Sequence, residues 1–255
     1  MSGDLRQAAA DSIDAPGTPE ALWVAWDGLH CLPTVGLPDG PVVVVAAHPD
    51  DEVLGFGGTM ALLAAFGVDV HVMTITDGEL SRPQSTLITP ERLARIRRAE
   101  LCSALAQLGL PGARPERLGV PDTQVDRHEG TVARRIAALL RKVEAAWCVA
   151  PWYGDLHSDH EAAGRAALRA CRASKVPLWM YPVWMWHWAG PGDPRVPWAD
   201  AARLPLPADA LALKSAAIGQ FVSQLHPWGE GAENAAILPP DEIEHHTRRF
   251  ETVFR

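Results

Sequence analysis

A doubly wound, mostly parallel α/β sheet is the fold class the sequence predicts, and three observations predict it. Short runs of β-branched residues alternate with longer runs of helical character, the rhythm of βαβ units. The first such run, PVVVVAA at 41–47, is continuously apolar, as suits a strand buried on both faces of a parallel sheet. Ionisable residues cluster just after two of the strands, at the edge where open α/β sheets take their ligands. The architecture implied is Rossmann-like, three layers α/β/α, with a small C-terminal subdomain.

The elements follow in order. Residues 1–38 read as an N-terminal extension with a polar start and a short apolar piece, ALWVAWDGL, that docks on the body. After the strand at 41–47 comes an acidic loop, then GTMALLAAFG, a helix ending at Gly67. VDVHVMTIT (68–76) is the second strand. The next helix has Thr89 as N-cap, Pro90 at its first position and Gly109 as its C-terminal stop. A third strand is expected around Glu116 to Val120. GTVARRIAALLRKVEA is a helix, WCVAP a strand, and SDHEAAGRAALRACRAS a helix capped by Ser158 or Asp159. VPLWMYPVWMWHW reads as a strand region, AGPGDPRVPWADAARLPLP as a loop, ADALALKSAAIGQFVSQL as a helix, and the rest as a tail. Residues 39–190 are then expected to form the Rossmann-like core, and residues 191–255 a loop, helix and tail that complete its pocket.

Bulk properties narrow the function. The net charge is −8, which argues against a nucleic-acid partner held by phosphate contacts. Cys31, Cys102, Cys148 and Cys171 are scattered, without the spacing of a disulfide framework or a cysteine zinc site, as fits reduced thiols in the cytoplasm. The acidic N-terminus does not read as a signal peptide. No segment reaches the ~18 apolar residues of a membrane span. The partner is therefore expected to be a small molecule, and a homo-oligomer is left open.

The stretch VVVVAAHPDDEVLGFGG carries the chemistry. His48 and Asp51 are three apart on a tight turn, and an imidazole nitrogen with a carboxylate oxygen suits zinc or a similar divalent metal. Asp50 lies between them and can face a metal-bound water. Glu52 fits a helix-dipole or supporting role. Gly55, Gly57 and Gly58 match a dinucleotide fingerprint only in part, since Met60 occupies its last glycine position and the preceding acids would repel a pyrophosphate. They fit close packing of helix on sheet instead. A second motif, DLHSDHEAAG at 155–164, puts His157 and His160 at another strand-to-helix junction. Two histidines and one carboxylate with an open position make a catalytic rather than a structural metal site. Spacing alone leaves open which histidine of the pair binds metal. The same donor set also suits iron(II).

His48-Pro49-Asp50-Asp51-Glu52 together with His157-Ser158-Asp159-His160 resembles the PIG-L/LmbE-like family of zinc-dependent N-acetylglucosamine deacetylases, over roughly residues 40–185. The resemblance implies His48, Asp51 and His160 as zinc ligands and Asp50 as general base. It implies that His157 stabilises the oxyanion and can donate a proton, and that Asp159 tunes His157. The residue types agree, since amide hydrolysis needs an activated water, a Lewis acid and an acid for the leaving amine.

The resemblance also makes Arg97 or Arg98, and Asp122, candidates for binding sugar hydroxyls. The arginines equally fit a solvated helix face, and Asp122 a loop cap. Trp184, Trp186 and Trp188 alternate and would share one strand face, with Trp186 a candidate for stacking on substrate. A core or oligomer contact is the other reading of that row. His245 and His246 are expected at the surface. Asp155 and Leu156 stand where the mycothiol-type deacetylases have a tyrosine and a glycine, which weakens any link to that substrate. The leading expectation is a cytoplasmic metal-dependent hydrolase that removes an N-acyl group, as a rule N-acetyl, from an amino sugar or glycoconjugate. Its rivals are an amidase acting on a non-sugar conjugate such as a thiol S-conjugate, and a metal-bound binding protein without turnover.

Overall fold

The computed structural model describes residue 13 and residues 15–255, so the polar start of the N-terminal extension lies outside the described residues. The strands are β1 (Val42–Ala46), β2 (Val70–Thr74), β3 (Glu116–Arg117), β4 (Trp147–Pro151), β5 (Leu178–Tyr181), β6 (Ala201–Pro205) and β7 (Phe250–Phe254). They form one sheet in the order β3-β2-β1-β4-β5-β7-β6. The first five in that order pair in parallel, and β7 runs antiparallel to both β5 and β6. The chain starts at β1, winds outward through β2 and β3, then crosses back to β4 on the other side of β1. That reversal opens a crevice beyond the carboxyl ends of β1 and β4, where such folds bind ligands.

The helices that matter are α1 (Glu20–Val24), α2 (Asp27–His30), α3 (Asp51–Ala65), α4 (Pro90–Gln107), α5 (Val125–Lys142), α6 (Ser158–Ser174), α7 (Met185–Trp188), α8 (Ala208–Ile218), α9 (Val222–Leu225) and α10 (Pro240–Glu244). The valines of β1 show why both faces of the sheet are covered. Val42 and Val44 join one core with Phe56 and Met60 of α3 and Leu101 and Leu105 of α4. Val43 and Val45 point the other way, into a core with Val132 and Ile136 of α5 and Ala163 and Ala167 of α6, as the two-residue period of a strand requires. Thr89 caps α4 as expected, its Oγ1 accepting from Arg92 N at 3.3 Å.

Close approach explains two glycines of α3. A Cβ on Gly55 would sit 2.1 Å from the Tyr181 ring, and one on Gly58 would sit 2.5 Å from Leu206. The glycines thus let α3 lie against its neighbours, as the sequence suggests.

The C-terminal third departs from the expected loop, helix and tail. It contributes β6 and β7 to the edge of the same sheet. The two differ in how far the sequence shows them: β6 is AARLP, poor in β-branched residues, whereas β7 is FETVF, strand-forming in composition but with a buried Glu251. Glu251 is tolerated there because Lys214 Nζ lies 2.8 Å away and Gly58 N, Thr59 N and Thr59 Oγ1 donate to it. The tryptophan row is also not a strand. Strand β5 ends at Tyr181, and residues 185–188 turn into α7, so the three indoles do not share a face. His245 and His246, expected at the surface, are buried. His245 Nδ1 is 2.7 Å from Glu20 Oε2, which ties the tail to α1. The apolar N-terminal piece docks as expected, with Trp23 fully buried.

Candidate metal centre

Both motifs lie at the crevice. His48 follows β1, and Asp51 opens α3. His160 lies in the first turn of α6, after β4. Asp50, the residue between them, takes φ 145°, a conformation that costs a non-glycine residue about 1–3 kcal/mol and persists only when surroundings impose it. Those surroundings are specific. Arg97, projecting from α4, donates from Nη2 to Asp50 Oδ2 and to Pro49 O, each at 2.9 Å, and from Nη1 to Gly78 O at 3.0 Å. Leu156 in the second motif also has positive φ, 63°.

Three side chains converge on one point. His48 Nδ1 lies 3.3 Å from His160 Nε2 and 3.5 Å from Asp51 Oδ2, and His160 Nε2 lies 3.2 Å from Asp51 Oδ1. Donors on a tetrahedral zinc at about 2.0–2.1 Å stand about 3.3 Å apart. Two imidazole nitrogens facing each other beside a carboxylate, all buried, form a donor set that a divalent cation satisfies. Burial opposes charge on His48, but Asp122, Asp159 and Asp51 hold its pKa well above the usual value. Burial likewise opposes charge on His160, yet Asp51 and Asp155 push its pKa up to about 9.

The far side of each histidine is occupied. His160 Nδ1 is 2.7 Å from Asp155 Oδ2. Asp155 is itself fixed by Val183 N, Trp184 N and Met185 N at 2.8–3.1 Å. His48 Nε2 is 3.1 Å from Asp122 Oδ1 and 3.4 Å from Asp159 Oδ2. Carboxylates behind histidines are how metal sites set ring orientation and tautomer.

Asp50 faces the same space, and His157 joins the cluster: one ring nitrogen each of His48, His157 and His160 lie within 4.8 Å of one another. Burial raises the Asp50 pKa to about 6 against the opposing pull of Arg97. Burial, with the neighbouring His160 and His48, lowers that of His157 to about 3. His157 is the N-cap of α6, one residue earlier than expected, and its Nδ1 accepts from Asp159 N at 3.3 Å. A ring that accepts at Nδ1 carries its proton on Nε2.

Several expected contacts fall elsewhere. Asp122 lines the cavity, where one oxygen meets His48 and the other accepts Leu80 N at 2.8 Å, contacts that support the histidine. Arg97 is buried rather than solvated, and it meets Asp50 rather than open space. Arg98 pairs with Asp77 at 3.1 Å. The Asp159 carboxylate accepts from Thr123 N and Val125 N, lies 3.4 Å from His48 Nε2, and its charge also acts on His157, favouring the protonated ring. Trp186 is corrected outright. It is buried against Trp23, with ring centroids 5.1 Å apart, and under the Arg248 guanidinium at 4.0 Å, because α7 turns it into the core. Trp184 and His187 line the cavity instead. Asp155, which holds His160 from behind, is the residue of the cluster that the motif pattern did not single out for a role. Its signal was a carboxylate five residues before His160, just past the ligand edge of β4.

An α/β domain with a buried His/Asp cluster at its switch point is thus defined by fold and site together. The chain belongs to the PIG-L family, described as GlcNAc-PI de-N-acetylase, whose model matches residues 43–171. It is 30% identical over 229 residues to the 1D-myo-inositol 2-acetamido-2-deoxy-alpha-D-glucopyranoside deacetylase of Salinispora arenicola, covering 74% of each chain. It is 34% identical over 147 residues to the probable N-acetyl-alpha-D-glucosaminyl L-malate deacetylase 2 of Bacillus cereus, covering 56% of this chain and 64% of that one. Of two further curated relatives it spans 56% and 44% of the length. The zinc-inhibited form of teicoplanin deacetylase Orf2 superposes with a TM-score of 0.63 at 20% identity, over 84% of this chain and 97% of the other. That likeness is one of fold.

Proposed function

We propose that this protein is a metal-dependent hydrolase that removes an N-acetyl group from an amino sugar carried on a further group. The observation that carries the proposal is the convergence of His48, Asp51 and His160 beside a further carboxylate, Asp50, and a third imidazole, His157, against the same cluster. A site that only bound metal would have no use for a carboxylate held in strained backbone by a buried arginine. The curated relatives described above are named for N-acetylglucosaminyl substrates, which favours a sugar amide over the non-sugar conjugate.

His48, Asp51 and His160 would hold the metal, with zinc the assignment that suits two imidazoles and a carboxylate. When bound, it supplies a Lewis acid and makes a water a competent nucleophile near neutral pH. Asp155, Asp122 and Asp159 orient the two imidazoles. Asp50 takes a proton from the attacking water as its oxygen bonds to the amide carbon. Arg97 aims that carboxylate and keeps it ionised. His157 donates from Nε2 to the carbonyl oxygen as that oxygen gains negative charge, and it does so as a neutral imidazole. When the carbon–nitrogen bond breaks, the proton taken by Asp50 goes to the departing amine, leaving acetate and the free amino sugar. Residues 39–190 supply this machinery, and residues 191–255 supply part of the cavity wall.

The test is free-amine release by the zinc-loaded protein from N-acetylglucosamine conjugates, with Asp50→Asn alongside. Release by the wild type and not by the variant supports the proposal. Equal release by both removes Asp50 from the mechanism. No release from any conjugate by a fully metallated wild type would overturn the reading.

A further inference from the structure

The cavity that contains the cluster reaches well beyond it. Its volume is about 480 Å³, in the range of sites that enclose a whole small molecule rather than one functional group. The reacting amide must lie against Asp50 and His157 at the buried end. What remains of the wall has a distinct character: Trp184, Ile237, Leu238 and Pro239 present apolar surface, and Asp241 and Glu242 present carboxylates.

Among the described residues that line the cavity, His187 and Arg97 are already engaged. Glu242 Oε2 is 2.8 Å from His187 Nδ1, and the Arg97 guanidinium serves Gly78 O, Pro49 O and Asp50. Asp241 is exposed and so stands toward the mouth. The segment that forms this side of the cavity is apolar at 235–240 and acidic on either side of that stretch, with Asp241 and Glu242 at the cavity itself. Between Gly229 and Thr247 it carries Glu230, Glu233, Asp241, Glu242 and Glu244, with no lysine or arginine. It is also held in place. Buried Arg82 donates to Ala235 O, to Ser223 O at 3.0 Å and to His226 O at 3.2 Å. Gln224 O accepts Ile237 N and Leu238 N at 2.9 and 3.0 Å.

On the footing of the deacetylase reading, we infer that the group attached to the sugar is an apolar, ring-bearing group without negative charge. It packs on Trp184 and the wall at 237–239, and the fixed acidic segment with Asp241 at the mouth excludes carboxylate and phosphate. A like charge brought against a fixed carboxylate is a strong and specific rejection, whereas an aromatic or alicyclic face gains from contact with an indole.

Three aryl glycosides of N-acetylglucosamine that differ only in a para substituent test this: carboxylate, carboxamide and trimethylammonium. Their affinity for zinc-loaded Asp50→Asn, read by calorimetry, separates recognition from turnover. The expected order places the carboxylate about tenfold weaker than the carboxamide at low ionic strength, with the gap shrinking as salt rises. In the Asp50→Asn/Asp241→Lys variant the order should reverse toward the carboxylate. Asp50→Asn/Trp184→Ala should weaken all three together. Equal or tighter binding of the carboxylate to the Asp50→Asn protein would overturn the inference, as would no binding of any glycoside. Ranked binding with no hydrolysis by the wild type would instead sink the deacetylase reading and leave the inference standing.

Discussion

Arg97 Nη2 meets Asp50 Oδ2 at 2.9 Å across the gap between α4 and the first turn of α3, with both side chains almost fully buried. The pair joins a helix of the scaffold to the strained residue at the centre of the proposed chemistry. Replacing Arg97 by methionine leaves a buried carboxylate without its partner. A stability loss of about 3–5 kcal/mol is expected, read by denaturant unfolding, with a larger fall in kcat than in metal content. An Arg97→Met protein with wild-type turnover would remove the pair from the mechanism.

Asp50→Asn should keep its metal, because Asp50 is not part of the converging trio. Turnover should fall about 10²–10⁴-fold, the usual contribution of a positioned proton acceptor. Metal content by elemental analysis, set beside the rate, checks both halves.

His160→Ala removes a donor and should not retain one metal per chain after dialysis. Asp155→Asn keeps the donor but disturbs the ring that carries it. Metal affinity should fall about 10–100-fold, measured by competition with a chelator. Unchanged affinity would mean that Asp155 serves only the backbone of residues 183–185.

Glu242 supplies a pH prediction away from the cluster. Burial works against its charge, but the hydrogen bond from His187 and the nearby His246 ring, 3.8 Å away, hold its pKa down at about 2, below the ordinary glutamate value of about 4.3. The depressed value means the folded state favours the ionised form. That stabilisation is complete above pH ~4.3 and is lost as pH falls toward 2. Glu242→Gln should lower Tm at pH 6 and converge on the wild type near pH 2.

Much of the site was legible in the residues. His48, Asp51 and His160 stand three apart or at matched strand-to-helix junctions, and β1 is a run of valines, so a parallel sheet must bring both motifs to one edge. The strand WCVAP and the helix from Ser158 to Ser174 appear with the boundaries expected. Patterns of this kind are local: period, cap and turn lie within a few residues of one another.

The sequence by itself therefore determined the α/β class, the ligand edge and the residues that gather there. Tertiary structure alone decided what those residues do for one another. Arg97 reaches Asp50 from 47 positions away, and Asp122 reaches His48 from 74. Trp184 faces the cavity while Trp186 enters the core, because the chain turns after Tyr181. Strand β6 forms although its composition argues against it, since the sheet edge offers hydrogen bonds, and β7 can bury Glu251 because Lys214 neutralises it. Contacts between distant segments depend on how elements dock, and docking is settled by the packing of the whole chain rather than by any window of it.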